Sequence, residues 1–213
     1  MKKSIILSLI FLSAFQLQIF AQSKSAIQVS GGLMSATDSD HGILGAVQYN
    51  YKINNNFTVY SYSGIIYWNN NKVAYYIDQP GQTPQQKLVK TFSEDNHRLI
   101  PIYVGGRYFF NNSSVFRPFV SLELGLNYLS FDSYNLQKVT SPDGPTIIQQ
   151  GPKTNENETL FGAGVGLGAS HDIGDNLELQ LEFRFNTLKN SNYEWFSSGR
   201  TLRAFQFGFA YKI

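Results

Sequence analysis

Two of the three histidines in this 213-residue chain have neighbours that chemistry needs. His41 follows Asp38 and Asp40, with Ser35 and Ser39 close by; His97 follows Glu94 and Asp95, with Ser93 just before them. Serine, imidazole and carboxylate brought together make a nucleophile for acyl transfer. The same letters also suit a divalent cation, carboxylates favouring Ca²⁺ and imidazole Zn²⁺. Neither cluster has a spacing that fixes such a geometry, and solvated loop residues account for both. Gly164, Gly166 and Ala169 match a loose G-x-G-x-x-A pattern. That pattern holds a dinucleotide phosphate only at a strand-to-helix turn, whereas here it lies within an alternating segment with another strand directly after it. The absence of Cys removes disulfides, thiolate metal sites and a cysteine nucleophile. The residues therefore lead to an expectation of no catalytic site, no cofactor and no metal.

The elements that hold these residues begin with an export segment. Lys2 and Lys3 precede an apolar stretch from Ile5 to Phe20, diluted by Ser8, Ser13, Gln16 and Gln18. Small Ala21 then precedes polar Gln22. This pattern reads as a signal peptide over 1–21, cut between Ala21 and Gln22, with the working domain over 22–213. The formal charge of +2 comes from Lys2 and Lys3, so the mature chain is neutral and nucleic acid is not an expected partner. A mean hydropathy of −0.21 argues against several apolar helices.

Past the export segment, residues alternate with a period of two. Phe205, Phe207, Phe209, Tyr211 and Ile213 share one face, against Gln206, Gly208, Ala210 and Lys212. Leu177, Leu179, Leu181, Phe183 and Phe185 oppose Glu178, Gln180, Glu182, Arg184 and Asn186; Val120, Leu122, Leu124, Leu126 and Tyr128 oppose Ser121, Glu123, Gly125 and Asn127. Successive side chains of a strand point to opposite faces, so each segment is a strand with one greasy face. Weaker copies start at Ile27, Val47, Tyr60, Ile100 and Phe161, which makes eight strands and no convincing helix. In the third, Tyr60, Tyr62, Ile66 and Trp68 form the apolar face against Ser61 and Ser63. Short polar joints at 54–56, 111–114 and 174–176 alternate with mostly longer ones at 35–41, 69–98, 131–157 and 188–201. A membrane barrel sorts its turns in this way, and an even strand count places both ends inside. The expected fold is an all-β, eight-stranded, antiparallel up-and-down transmembrane barrel, its apolar face toward lipid and its aromatics in interfacial girdles.

On these residues the chain resembles the bacterial eight-stranded outer-membrane barrels, similar to OmpX and the membrane domain of OmpA. Phe205, Phe207, Phe209, Tyr211 and Ile213 look like that family's assembly signal, although Ile213 stands where an aromatic is usual. The resemblance implies an outer-membrane location, lipid and lipopolysaccharide around the barrel, and recognition by the outer-membrane assembly machinery. Inward positions give a lumen charge set of Lys52, Arg107, Glu123, Glu178, Glu182, Arg184 and Lys212. Eight strands enclose a space that side chains fill, so these charges are expected to pair into a polar plug, with Gly162, Gly164, Gly166 and Gly168 making room for them. Apolar β-formers around Pro80-Gly81 and around Pro142–Pro145 suggest outer hairpins. The function expected is a structural or surface-binding barrel with no catalysis, whose extracellular protein partner meets loops 69–98 and 131–157. The alternatives are a narrow channel or transporter for small solutes, hydrophobic ones included, or an accessory barrel of a secretion system. The folded chain should migrate differently in an unboiled gel than after boiling; a single unshifted band would remove the barrel.

Overall fold

The computed structural model describes residues 24–36, 41–69, 73–75, 89–91, 94–110, 115–140, 146–189 and 200–213. The expected signal peptide over 1–21 lies outside the described residues. The strands are β1 (Ser25–Ala36), β2 (His41–Lys52), β3 (Phe57–Trp68), β4 (Val73–Tyr75), β5 (Val89–Thr91), β6 (Glu94–Phe109), β7 (Phe116–Thr140), β8 (Thr146–Asp172), β9 (Leu177–Lys189) and β10 (Arg200–Lys212). Eight of them close a barrel in the order β1-β10-β9-β8-β7-β6-β3-β2, with every neighbour antiparallel. The seam between β10 and β1 runs from Ala26↔Lys212 to Ala36↔Leu202. No edge is left open within the barrel, as a strand structure in hydrocarbon requires.

The short joints and both ends of the barrel share one rim. Ile213 N–H donates to Ser25 O, and Lys212 N–H donates to Asn176 O in the turn between β8 and β9. The turn after β2 is held by the Asn54 side chain, whose Oδ1 accepts from the backbone N–H of Asn56 and Phe57, each at 2.9 Å. Such local bonds are why Asn suits tight turns. In an outer-membrane barrel this rim is the inner, periplasmic one.

The faces are inside out relative to a soluble protein. Val104, Leu122 and Leu167 are 65%, 66% and 62% exposed, while Arg107 and Arg184 are 1% and 2% exposed. Phe57, Tyr108, Phe110, Phe116 and Tyr211 surround the inner rim on the outside, and Tyr67 and Tyr128 stand outward near the other end. Such a belt with aromatics at its borders fits a bilayer and has no counterpart on a soluble surface.

Three expectations need correction. On β3 the phase is reversed: Tyr60, Tyr62, Ile66 and Trp68 are buried in the lumen, and Ser61 and Ser63 face outward with Phe57 and Tyr67. Tyrosine is apolar along its ring and polar at its tip, so it satisfies a lumen that offers its hydroxyl a partner. Trp68 is thus a lumen residue and no part of the outer girdle. The joint after β1 spans only 37–40, as short as the inner turns. The expected hairpin around Pro142–Pro145 is present: much of 131–157 is strand, with β7 and β8 pairing as far as Thr140↔Thr146. The expected hairpin near Pro80-Gly81 is present as β4 against β5, from Val73↔Thr91 to Tyr75↔Val89.

A lipid-facing charge tests this orientation. Leu124→Arg should cost about 2–4 kcal/mol in reversible unfolding from vesicles, whereas a near-neutral effect would place Leu124 away from hydrocarbon.

Candidate functional site

The lumen is stratified. At mid-height Arg184 is the hub: Nη1 donates to Glu123 Oε2 at 3.1 Å, and Nη2 to Gln48 Oε1 at 2.7 Å and Glu182 Oε2 at 3.0 Å. Arg107 reaches the same Glu182 oxygen at 2.9 Å and Gln180 Oε1 at 2.7 Å. The remaining carboxylate oxygens are also met. Ser121 Oγ donates to Glu182 Oε1 and Asn186 Nδ2 to Glu123 Oε1, both at 2.7 Å; Tyr60 Oη donates to Glu123 Oε2 at 2.9 Å. Both guanidinium groups lie over rings, Arg184 at 4.2 Å from Tyr62 and Arg107 at 4.1 Å from Phe119. Such pairing of every carboxylate oxygen with donors is what makes buried charge tolerable.

Toward the inner rim, Arg117 pairs with Glu178 and, at 3.0 Å, with Asp172; Lys212 reaches the same Asp172 oxygen at 2.8 Å. Gln180 joins the two layers by donating to Glu178 Oε1 at 2.6 Å. Of the sequence-derived set, Arg107, Glu123, Glu182 and Arg184 therefore form one cluster, and Glu178 and Lys212 belong to the layer below. Lys52 lines the inner mouth and has no acidic partner among the described residues. Arg117, Asp172, Tyr60 and Tyr62 were missed by the sequence reading. Arg117 is in phase with Ser121 and Glu123, and Asp172 with Ser170, so continued alternation carries that signal.

The glycines of β8 make room for these groups. A Cβ on Gly164 would lie 2.6 Å from Asn186 Nδ2, one on Gly166 would strike Ser121 and Glu182, and one on Gly162 would strike Tyr103.

The outer part of the lumen is apolar, which corrects the expectation of a polar plug throughout. Met34, Leu44, Ile66, Leu99, Leu129, Leu160, Leu188 and Leu202 form one buried cluster. Between this cluster and the charges lies a cavity of about 20 Å³, room for roughly one water. His97 closes the top, stacked between Trp68 at 4.9 Å and Phe131 at 5.4 Å, its Nε2 3.3 Å from Glu94 Oε2. Arg200 donates to that same oxygen at 2.9 Å.

Among the described residues the three histidines lie in separate places. His97 is walled in by rings, His41 is exposed at the start of β2, and His171 is exposed at the inner rim. Asp38, Ser39, Asp40 and Ser93 lie outside the described residues. No group of three His, Asp or Glu side chains converges as metal ligands would among the described residues.

Above the barrel, β7 and β8 form a two-stranded ribbon. Its base is locked by Asp132, which accepts from Lys153 Nζ at 2.6 Å and Asn96 Nδ2 at 2.7 Å. Asn96 stands in a bulge of β6 with φ of 51°, a conformation Asn tolerates. The Lys153 bond holds the Asp132 carboxyl below the usual carboxylate range. A depressed carboxyl stabilises the fold above its unfolded-state pKa, and that contribution is lost as pH falls through the folded value. The lock is therefore intact at neutral pH and opens in acid.

A closed antiparallel barrel with a lipid-facing belt and a lumen filled by side chains defines the small eight-stranded membrane barrels. The chain belongs to the outer membrane protein beta-barrel domain family, whose model matches residues 7–212. It is similar in structure to neisserial surface protein A, with 17% identity, a TM-score of 0.54, and 89% of this chain and 97% of that one covered. It is also similar to Ail, the attachment invasion locus protein of Yersinia pestis, with 12% identity, a TM-score of 0.52, and 90% and 99% coverage. At these identities the likeness concerns fold. No curated protein matches the chain by sequence.

Arg184 is the residue on which the lumen depends most. Arg184→Met should destabilise the barrel by about 3–5 kcal/mol, because Glu123 loses its only guanidinium partner. Adding Glu123→Gln should recover part of that loss in denaturant titration of vesicle-embedded protein; no recovery would mean that the two do not act as a pair.

Proposed function

We propose that this chain is an exported surface-binding barrel without catalysis, which holds an external or envelope protein on its outer ribbon. The observation that carries the reading is the β7–β8 ladder, which continues past the barrel to Thr140↔Thr146. Ser133 is the last residue of β7 paired with β6, and the seven residues from Tyr134 to Thr140 extend β7 by about 23 Å at ~3.3 Å per residue.

Among the described residues the ribbon's outer edges are unpaired. β7 pairs with β6 only as far as Ser133, and β8 pairs with β9 only from Phe161. Beyond those points each strand has the other as its only pairing partner among the described residues. An unpaired strand edge accepts an extended segment from a partner through main-chain hydrogen bonds, and neighbouring side chains supply selectivity. The partner-binding region expected at 69–98 and 131–157 thus gains a physical mechanism in its second half. That Ail is an attachment protein by name agrees with this use of the fold.

The other parts of the molecule serve placement. Signal cleavage between Ala21 and Gln22 releases the chain for export. The belt takes up lipid and lipopolysaccharide. The outward Phe205, Phe207, Phe209, Tyr211 and Ile213 of β10 are presented to the assembly machinery on the strand that closes the barrel. Filled layers in the lumen support a binding role over a conducting one.

Shortening the ribbon separates these roles. Replacing 135–152 by Asn-Gly joins Tyr134 to Lys153, which already face each other across the ladder. Cells displaying this variant should retain the folded barrel and lose at least tenfold in adherence to surfaces coated with matrix or serum proteins. Unchanged adherence by the folded variant would overturn the proposal.

A further inference from the structure

The inner mouth of the barrel encloses a cavity of about 250 Å³, and its charge is unbalanced. Lys24, Lys52, Arg107, Arg117 and Lys212 line it, with Glu178 as the one carboxylate among the lining residues. Two further carboxylates neutralise part of this set from just outside: Glu182 pairs with Arg107, and Asp172 pairs with Arg117 and Lys212. Glu182 is shared with Arg184, which Glu123 also balances, so six cations meet four anions and two positive charges remain. They are the two ammonium groups of Lys24 and Lys52, neither of which has an acidic partner within 4 Å among the described residues.

A second observation concerns the guanidinium groups. The Nε–H of Arg107 and of Arg117 are both buried and lack an acceptor. Arg107 is 1% exposed, and its Nη atoms are already engaged by Gln180 and Glu182. Buried donors are ordinarily satisfied, so unmet ones beside a cavity mark the place of an unseen acceptor. Such spare donors, together with unpaired ammonium groups in a mouth partly shielded from water, suit a compact oxyanion with several acceptor oxygens.

We infer that the inner mouth binds a phosphate-class oxyanion that enters from the short-turn side. The two uncompensated charges match a dianion, and the cavity is closed above by the paired Arg107–Glu182 layer, so the anion binds at the mouth and does not pass through. Lys24 and Lys52 supply the unpaired charge. Backbone pairing fixes them side by side, since Lys52 N–H donates to Lys24 O at 2.7 Å. This site is independent of the outer ribbon and its partner.

The phosphate has two sources, a free ion or the headgroup of an anionic lipid. Full-length barrel folded in maltoside micelles, which contain no phosphate, is titrated calorimetrically with inorganic phosphate in one arm and dihexanoyl phosphatidylglycerol in the other. Saturable binding to inorganic phosphate assigns a free ion, and binding to the lipid alone assigns a headgroup. In either case Lys24→Gln/Lys52→Gln should weaken binding at least tenfold, and added salt should weaken it further. Neither lysine leaves a carboxylate unpaired on removal, so this variant should fold, which its heat-shifted gel migration checks. Arg203→Gln, an exposed cation at the other end of β10, should bind as the parent does. No saturable heat in either arm, or equal affinity in the folded double variant, would overturn the inference.

Discussion

A backbone N–H or C=O left unpaired in hydrocarbon costs several kcal/mol, so a chain that crosses a membrane with strands has to join its last strand to its first. The β10–β1 seam meets that constraint, and the other features depend on it. Closure at eight strands fixes a lumen too narrow to stay empty and wide enough only for side chains. It fixes two populations of side chain on every strand, one for lipid and one for the lumen. It also leaves the two rims as the only places where the chain can leave regular pairing.

The lumen follows from that narrowness. Arg184, Glu123, Glu182 and Arg107 come from β6, β7 and β9, and each carboxylate collects several donors. These bonds tie non-adjacent walls together across the barrel, as from Arg184 to Gln48 of β2. Above them the lumen is leucine-rich, a region without donors in which an ion would lose its hydration. Charges in the middle and leucines above make two successive barriers of different kinds. Below, cations outnumber acids where the lumen meets the inner side. Position along the barrel axis therefore determines what each inward side chain does.

Much of the fold was legible because a period of two is easy to see when one face is uniformly large and apolar, as in Phe205–Ile213 and Leu177–Phe185. It failed on β3, where Tyr60 and Tyr62 look greasy by letter but spend their hydroxyls on lumen partners, and where Ser61 and Ser63 face outward. Trp68 was misplaced for the same reason. The apolar outer lumen escaped because Met34, Leu44 and Leu99 read as ordinary hydrophobes, although their parity puts them inside. Long-range partners were not legible at all. Arg184 and Gln48 lie 136 positions apart, and only the register of the closed sheet brings them together. Loop length misled at the joint after β1, since β1 runs on to Ala36 and β2 begins at His41.

The central claim is that the lumen is closed by paired charges beneath an apolar plug. Purified barrel in a planar bilayer under applied voltage tests it most directly. The account predicts a flat trace with no stable unitary steps at neutral pH. Reproducible single-channel steps from the full-length folded chain would contradict it.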